Sequence, residues 1–190
     1  MGLLSESQIT ELNFARVGQN VRISDKASFY NCAEIELGDN VRIDDFCVLS
    51  AGVGGICIGS YVHIAVYTSI IGAGRVHISD YCNLSSRVAI YSSNDDYSGA
   101  FMTNPMVPTH LTGVNSAQVT LDKHVIIGSG SVVLPGTHCE VGVAIGALSV
   151  VKSSCKAFGV YAGNPAVKIK DRKRNLLELE KQLMGTHAKP

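Results

Sequence analysis

Aliphatic residues recur at every sixth position through most of this chain, and extra residues enter only after every third repeat. The first hexads open at Val17, Ile23, Phe29, Leu37, Ile43, Leu49, Ile58, Ile64, Ile70, Ile78, Leu84 and Ile90. After an interruption the rhythm returns at Leu121, Ile127, Val133, Cys139, Ile145 and Val151. Six-residue repeats are typical of β-helices, whose stacked coils bury a continuous core. Insertions after each third hexad predict an all-β fold, a three-sided parallel β-helix of about six coils.

The interruption after Ile90 predicts one long loop, residues 91–118, that leaves a single corner of the β-helix. This loop is far longer than the usual connection between elements, and such loops are generally functional or disordered. Because it contains apolar residues such as Phe101 and Met102, we expect an ordered lid over a binding site.

The remaining segments predict a simple domain organisation. Residues 1–16 form an N-terminal cap, and residues 17–169 form the β-helix with its extruded loop. Residues 170–190 form a C-terminal α-helix and tail, in which Leu176, Leu179 and Leu183 follow one stripe of the helix.

Charge and cysteine content exclude several classes of protein. The formal net charge is zero at pH 7, which gives no electrostatic reason to expect a nucleic-acid or membrane partner. No apolar run approaches the roughly 20 residues that span a bilayer, and no secretory signal is evident. The six cysteines include no Cys-x-x-Cys pair, so we expect free, packed thiols in a cytoplasmic protein.

Two motifs add to the repeats to suggest a family. The hexads, residues 125–136 (VIIGSGSVVLPG) and residues 163–166 (GNPA) together resemble the hexapeptide-repeat acyltransferases. Residues 85–99 (SSRVAIYSSNDDYSG), with residues 103–105 (TNP), resemble the bacterial enzymes that acylate dTDP-linked 4-amino-4,6-dideoxyglucose. They are also similar to O-acetyltransferases from surface-polysaccharide clusters.

The resemblance implies a left-handed β-helix and a homotrimer that binds acetyl-CoA, or another acyl-CoA, between subunits. The implied acceptor is a nucleotide-linked sugar, and no metal is implied.

The candidate catalytic residues lie on either side of the start of the loop. Many sugar O-acetyltransferases of this family have a catalytic histidine where this chain has Asn94, Asp95 and Asp96. A sugar amine, with a pKa of roughly 8, is partly neutral at physiological pH and needs less base assistance than a hydroxyl. We therefore predict N-acylation, with Asp95 or Asp96 as the proton acceptor and Ser86, or its neighbour Ser85, as a relay. The alternative for the two aspartates is ordinary turn formation.

Residues near the same stretch are the candidates for binding the acceptor: Arg87, Asn94, Tyr97, Asn104 and Pro105. His63 is a further candidate, since it lies in register with Arg22 and Arg42 on one edge of the predicted helix. These three residues would form a ladder of basic side chains, and repulsion between their like charges destabilises the fold unless acidic groups or a bound anion neutralise them. Either Asp44 and Asp45 neutralise it, or it binds the diphosphate of the acceptor.

The family resemblance also indicates where the acyl-CoA binds. It implies the backbone amides of the coils beyond the loop, around Gly128, Ser129, Gly130, Gly146 and Ala147. Lys152 and Lys168 are candidates for contacting the phosphates. The alternative for the basic residues is a solvated start of the C-terminal helix.

Two other functions remain open from the sequence. The first is a sugar or polysaccharide O-acetyltransferase. The second is a β-helix of another class, either an inert scaffold or a zinc carbonic anhydrase. An anhydrase would need three histidine ligands, for which His63, His77, His110 and His124 are the available residues.

Overall fold

The computed structural model describes residues 2–187, which form one β-helix with three faces. The first face contains β1 (Arg16–Val17), β4 (Ile35–Leu37), β7 (Ile56–Ile58), β10 (Val76–Ile78), β15 (Val119–Leu121) and β18 (His138–Cys139). The second face contains β2 (Arg22–Ile23), β5 (Arg42–Ile43), β8 (His63–Ile64), β11 (Asn83–Leu84), β16 (Ile126–Ile127), β19 (Ala144–Ile145), β21 (Gly159–Ala162) and β22 (Val167–Asp171). The third face contains β3 (Ser28–Tyr30), β6 (Val48–Ala51), β9 (Ser69–Gly72), β12 (Ala89–Tyr91), β17 (Val132–Val133) and β20 (Val150–Val151).

Three corners join the faces, and we number them in the order in which the chain passes them. The first corner joins the first face to the second, the second corner joins the second to the third, and the third corner leads to the next coil. Two short strands, β13 (Ser93–Asn94) and β14 (Asn115–Ser116), form an antiparallel ribbon at the third corner. Two 3-10 helices, Cys32–Glu34 and Thr109–Leu111, also lie in third-corner segments.

The hexad residues from Ile23 onward form or pack against the core, as the repeat predicts, whereas Val17 in the first coil is 37% exposed. On the second face, Ile43, Ile64, Leu84 and Ile127 stack in register from coil to coil and are almost fully buried. Each buried aliphatic side chain of this size contributes about 1.5–3 kcal/mol relative to an exposed one. The parallel β-helix predicted from the repeat is therefore confirmed.

The C-terminal end of the β-helix extends further than the hexads predict. Cys155 makes a parallel bridge to Cys139, and β21 pairs in parallel with β19. These contacts begin another turn, so the helix has about seven turns rather than six. The sequence predicted one turn too few, because residues 155–162 continue the stacking after the aliphatic repeat has ended.

Helices lie at both ends of the chain. The short α1 (Glu6–Glu11) begins with a capping box, in which the Ser5 hydroxyl accepts from the Gln8 amide and Gln8 reaches back to the Ser5 amide. The C-terminal helix is confirmed as α2 (Leu176–His187). It begins later than predicted, because the preceding residues form β22, which pairs antiparallel with β21. Residues 188–190 of the predicted tail lie outside the described residues.

The packing face of α2 differs from the predicted leucine stripe, since Leu179 is 61% exposed. Instead, Glu180 bonds to His124 at 2.6 Å and to Lys123 at 3.2 Å. The Tyr81 hydroxyl donates to the sulfur of Met184 at 3.4 Å. Polar contacts to the first corner therefore orient this helix.

Between residues 2 and 187 no helix is long and apolar enough to cross a membrane. All six cysteines are free, and four of them are buried, as expected for thiols that pack as small hydrophobic side chains.

Candidate active site at two corners of the helix

The long loop leaves the third corner of the fourth coil through the ribbon of β13 and β14. In this ribbon Ser93 faces Ser116, and Asn94 faces Asn115. The Ser92 hydroxyl, which is fully buried, donates to the Gly74 carbonyl at 2.7 Å and ties the start of the ribbon to the coil below. The ribbon therefore holds both ends of the loop against the β-helix.

Asp96 organises the first turn of the loop. Its carboxylate accepts hydrogen bonds from the amides of Ser98, Gly99 and Phe101, at 3.1, 2.9 and 3.2 Å, and from the Ser98 hydroxyl at 2.8 Å. These bonds, above all those from Ser98, lower the pKa of Asp96 to about 2. The carboxylate is thus fully engaged in shaping the backbone.

Asp95 is in the opposite situation. Within the described chain its carboxylate has no hydrogen bond or ion pair, although its backbone carbonyl accepts from the Asn94 side chain at 2.9 Å. It lines two cavities, each of which also includes Ser93 and Asn94. Asp95 is therefore free to accept a proton from a ligand in either cavity.

The first of these cavities, which we call the loop cavity, has a volume of about 510 Å³. Polar groups line part of it: Asn94, Asn104, Thr109 and Thr112. Apolar groups line the rest: Ile71, Pro105, Val107 and Val114. The loop cavity therefore offers a ligand both hydrogen-bond partners and apolar surface.

The second cavity, which we call the strand cavity, has a volume of about 380 Å³ and lies against the third face. Its lining includes Tyr91, Tyr97, Val132 and Leu134. The two cavities bring together Asp95 and four of the predicted acceptor-binding residues: Asn94, Tyr97, Asn104 and Pro105. Tyr91 and Leu134, which belong to separate coils, were not predicted from the sequence to line the site. Their alignment follows from the pairing of β12 with β17, which the hexad register already implied.

Ser85, Ser86 and Arg87 lie elsewhere, at the second corner of the same coil. Strand β12 and the start of the ribbon separate them from Asp95, a distance on the order of 15 Å at strand rise. Arg87 stands over the ring of Tyr67, 5.8 Å from its centroid. The predicted relay from serine to aspartate therefore cannot form within one chain.

The second corner carries a column of free backbone amides. Asn83, Ile126 and Ala144 pair in register, so the residues three positions later, Ser86, Ser129 and Ala147, also stack. Within residues 2–187 none of these three amides donates a hydrogen bond. Ser129 and Ala147 are exposed. Stacked donors of this kind can bind an extended ligand that carries carbonyl groups.

The predicted glycines beside this column have a structural reason of their own. A Cβ on Gly128 would lie 2.5 Å from the Ala147 amide nitrogen, and one on Gly146 would lie 2.9 Å from the Ala162 Cβ. Gly130 has a φ of 70°, a left-handed conformation that favours glycine. The tight stacking of the coils therefore accounts for these residues without any ligand.

The two predicted phosphate-binding lysines lie at different corners. Lys152 follows β20 at the third corner, directly above Leu134 in register. Lys168 lies in β22 opposite Tyr161, near the second corner, and bonds to Asp171 at 2.7 Å. Neither lysine is buried, so both can reach a ligand along the corner to which each belongs.

The basic ladder on the second face is offset by an aspartate. Asp44 accepts from Arg42 at 2.7 Å and contacts the Nε2 atom of His63 at 2.8 Å. Burial opposes ionisation of Asp44, but the bonds from His63 and Arg42 prevail and lower its pKa. The Nδ1 atom of His63 contacts Asn83 at 3.1 Å. Both ring nitrogens are therefore engaged, which counts against His63 as a base.

The other histidines are spread over the molecule. His77 contacts Ser79 on the first face, His110 lies in the loop, and His124 lies beneath α2. In the part of the chain that the structure describes, no three His, Cys, Asp or Glu side chains are grouped to hold a metal. The described residues of a single chain therefore provide no ligand set for the zinc carbonic anhydrase alternative.

The chain is similar to known acyltransferases over most of its length. No model of a known protein family matches the sequence. The chain is 61% identical over 180 residues to a dTDP-4-amino-4,6-dideoxy-D-glucose acyltransferase of Escherichia coli, covering 95% of this chain and 94% of that one. It is 32% identical over 151 residues to a putative lipopolysaccharide biosynthesis O-acetyl transferase, WbbJ, of Escherichia coli K12, covering 74% and 73% of the two chains.

A solved relative has the same fold over its whole length. AntD, an N-acyltransferase from Bacillus cereus in complex with dTDP and coenzyme A, superposes with a TM-score of 0.94 at 42% identity, covering 98% of this chain and 100% of that one. That structure is of a variant in which asparagine replaces an aspartate, and other AntD structures carry substitutions at the same aspartate or at a serine ten positions before it. The six-residue repeat and these similarities make the protein a hexapeptide-repeat acyltransferase. The chain belongs to the family of dTDP-4-amino-4,6-dideoxyglucose acyltransferases.

Proposed function

We propose that this enzyme transfers an acyl group, most simply acetyl, from CoA to the amine of a dTDP-linked 4-amino-4,6-dideoxy sugar. The observation that carries the proposal is the unpartnered carboxylate of Asp95, at which the loop cavity and the strand cavity meet. An amine acceptor needs a group that takes its proton after attack, and a free carboxylate can do so. The similarity to an acyltransferase of that sugar supports the same acceptor.

The reaction proceeds by direct attack of the neutral amine on the thioester carbon. A C–N bond forms, and the carbonyl oxygen takes the negative charge that hydrogen-bond donors stabilise. The amine proton passes to Asp95, the C–S bond breaks, and the departing thiolate of CoA takes that proton from Asp95, which regenerates the carboxylate. No covalent enzyme intermediate is needed.

Ser85 is the serine that we assign to this site. It is ten positions before Asp95, the same spacing as the serine and aspartate that are substituted in AntD. Its hydroxyl makes no hydrogen bond within the described chain, so it remains available to donate to the developing oxyanion or to relay a proton. Asp96 and Ser86 have the same spacing, but the engagement of Asp96 in the loop favours the first pair.

We propose that the site is shared between copies of the chain in a homotrimer. Ser85 and Asp95 lie at the two ends of the third face, too far apart to act together in one chain. The second corner carries Ser85 and, further along the helix axis, the cation of Lys168. The third corner carries Asp95 and, in the same direction along the axis, the cation of Lys152. A neighbouring subunit that brings its third corner to the second corner of this one closes a single cleft.

Acyl-CoA binds along this cleft in the proposal. The free amides of Ser129 and Ala147 bind the carbonyl groups of the pantetheine arm, and the same column leads down to Ser86, beside Ser85. Lys152 of one chain and Lys168 of the other contact the phosphates. Because CoA and nucleotide-linked sugars are cytoplasmic metabolites, we place the enzyme in the cytoplasm.

The O-acetyltransferase alternative has the WbbJ similarity in its favour. Attack by a hydroxyl calls for a firmer base, commonly histidine. Among the described residues, however, neither cavity is lined by a histidine. This absence favours the amine.

The proposal is tested by following release of free thiol from acetyl-CoA. Thiol release should depend on added dTDP-4-amino-4,6-dideoxyglucose and should stop when all the amine is consumed. The proposed function would be wrong if thiol were released at the same rate without the amino sugar, or if no thiol were released in its presence.

A further inference from the structure

We propose that the strand cavity is the pocket for the acyl group of the donor and that Leu134 determines which acyl chain is accepted. This inference rests on the proposed function, since it assigns a part of the same site. Asp95 marks where the reaction occurs, and the strand cavity opens directly onto it. A ligand that occupies this cavity is therefore within reach of the reacting amine.

The two cavities lie on opposite sides of Asp95 along the helix axis. The loop cavity includes Ile71, which lies one coil below Tyr91 in register. The strand cavity includes Tyr91 and, one coil above it, Val132 and Leu134. The donor binds along the coils beyond the loop in the proposed function, so the strand cavity is on the donor side and the loop cavity on the acceptor side.

The lining of each cavity fits this division. Both cavities share Ser93, Asn94 and Asp95. Beside four apolar groups, the loop cavity adds Asn104 and two threonines, which suit the hydroxyl groups of a sugar. The strand cavity adds no further aliphatic hydroxyl or amide side chain, but the aliphatic surface of Val132 and Leu134 and two phenol rings. An aliphatic chain gains free energy when it buries its surface against such groups. Lys152 stands one coil above Leu134, where a cation can meet the charged part of the donor.

Leu134 is the residue best placed to set the length of the chain. Its backbone amide bonds to Val151 at 2.9 Å, so its position is held by the coil above while its side chain borders the cavity. A side chain at this position can be shortened without opening the hydrophobic core, since Leu134 is not among the buried residues. One methylene in an apolar pocket changes selectivity by roughly 10–200-fold.

The test measures kcat/KM for acetyl-CoA, butyryl-CoA and hexanoyl-CoA with the amino sugar as acceptor. In Leu134→Ala the ratio of hexanoyl to acetyl transfer should rise at least tenfold, and in Leu134→Phe the ratio of butyryl to acetyl transfer should fall. The matched control is Val107→Ala in the loop cavity, which should change KM for the amino sugar and leave the acyl ratios unchanged.

The outcomes separate this inference from the proposed function. If the wild-type enzyme acylates the amine and both Leu134 variants keep the wild-type acyl ratios, the acyl pocket is elsewhere. The same conclusion follows if Val107→Ala shifts the acyl ratios instead. If no acyl-CoA supports transfer to the amine in the wild type, the proposed function itself fails. Should Leu134→Ala not fold, Leu134→Phe and Val132→Ala provide the same comparison.

Discussion

Ser85 and Asp95 belong to the same coil but lie at different corners, with strand β12 between them. The separation is on the order of 15 Å, five times the length of a hydrogen bond. If both residues act on one substrate, each active site takes its serine from one chain and its aspartate from another.

Mixing two inactive variants tests this arrangement. In the proposed homotrimer, we expect Ser85→Ala and Asp95→Asn each to be nearly inactive when expressed alone. When the two chains are co-expressed in equal amounts and assemble at random, about a quarter of the interfaces should combine an intact serine with an intact aspartate. Thiol release should then recover to about a quarter of the wild-type rate. If the mixed trimers stay as inactive as the separate variants, the site is not shared in this way.

The two adjacent aspartates should respond differently to substitution. Asp95→Asn removes the free carboxylate, so kcat should fall by about 10²–10⁴-fold while CoA binding is retained. Asp96→Asn keeps one oxygen that can accept from the loop amides, so its main effects should be a raised KM for the acceptor and a lower melting temperature. Steady-state kinetics with calorimetric CoA binding distinguish the two. Equal losses of kcat in both variants would mean that the structure of the loop does not separate their roles.

The contact between α2 and the first corner should depend on pH. The hydrogen bond from His124, with a further bond from Lys123, lowers the pKa of Glu180 below its ordinary value of 4.5. A carboxyl with a lowered pKa stabilises the folded state above its ordinary pKa, and this contribution is lost as pH falls through the folded-state value. Glu180→Gln should therefore lower the melting temperature at pH 7, and the difference from wild type should shrink below about pH 4. Glu178→Gln, on the exposed side of the same helix, is the control. A difference that stays constant down to pH 3 would contradict the contact.

Much of the architecture could be predicted because the β-helix repeats its environment every six residues. Inward positions such as Ile64 and Leu84 are aliphatic for the same reason in every coil, so the repeat reveals the faces, the corners and the loop. The last turn was missed because Cys155 and β21 keep the stacking with residues that do not follow the aliphatic pattern. The prediction that Leu179 belongs to the packing face of α2 was wrong, because polar contacts to His124 and Lys123, rather than a leucine stripe, orient this helix.

The candidate site was predicted in part. The sequence indicated the loop and its Asn94, Asp95 and Asp96, but it did not distinguish the two aspartates. That distinction depends on backbone amides of residues 98–101 that fold back onto Asp96. Ser85 and Asp95 are close in sequence, and we therefore predicted that they are in contact. In the structure strand β12 lies between them and places them at different corners. Leu134 and Tyr91 are distant in sequence, but coil stacking brings them together.

The acceptor atom of the proposed reaction is a nitrogen. The most direct measurement offers the enzyme acetyl-CoA with equal amounts of dTDP-4-amino-4,6-dideoxyglucose and the corresponding sugar with a hydroxyl at the same carbon, and identifies the products by mass spectrometry. We predict an amide on the amino sugar and no ester on the hydroxyl sugar. We also predict that kcat/KM rises with pH and levels near the pKa of the amine, roughly 8. Ester formation at a rate that matches or exceeds amide formation would show that the enzyme is an O-acyltransferase instead.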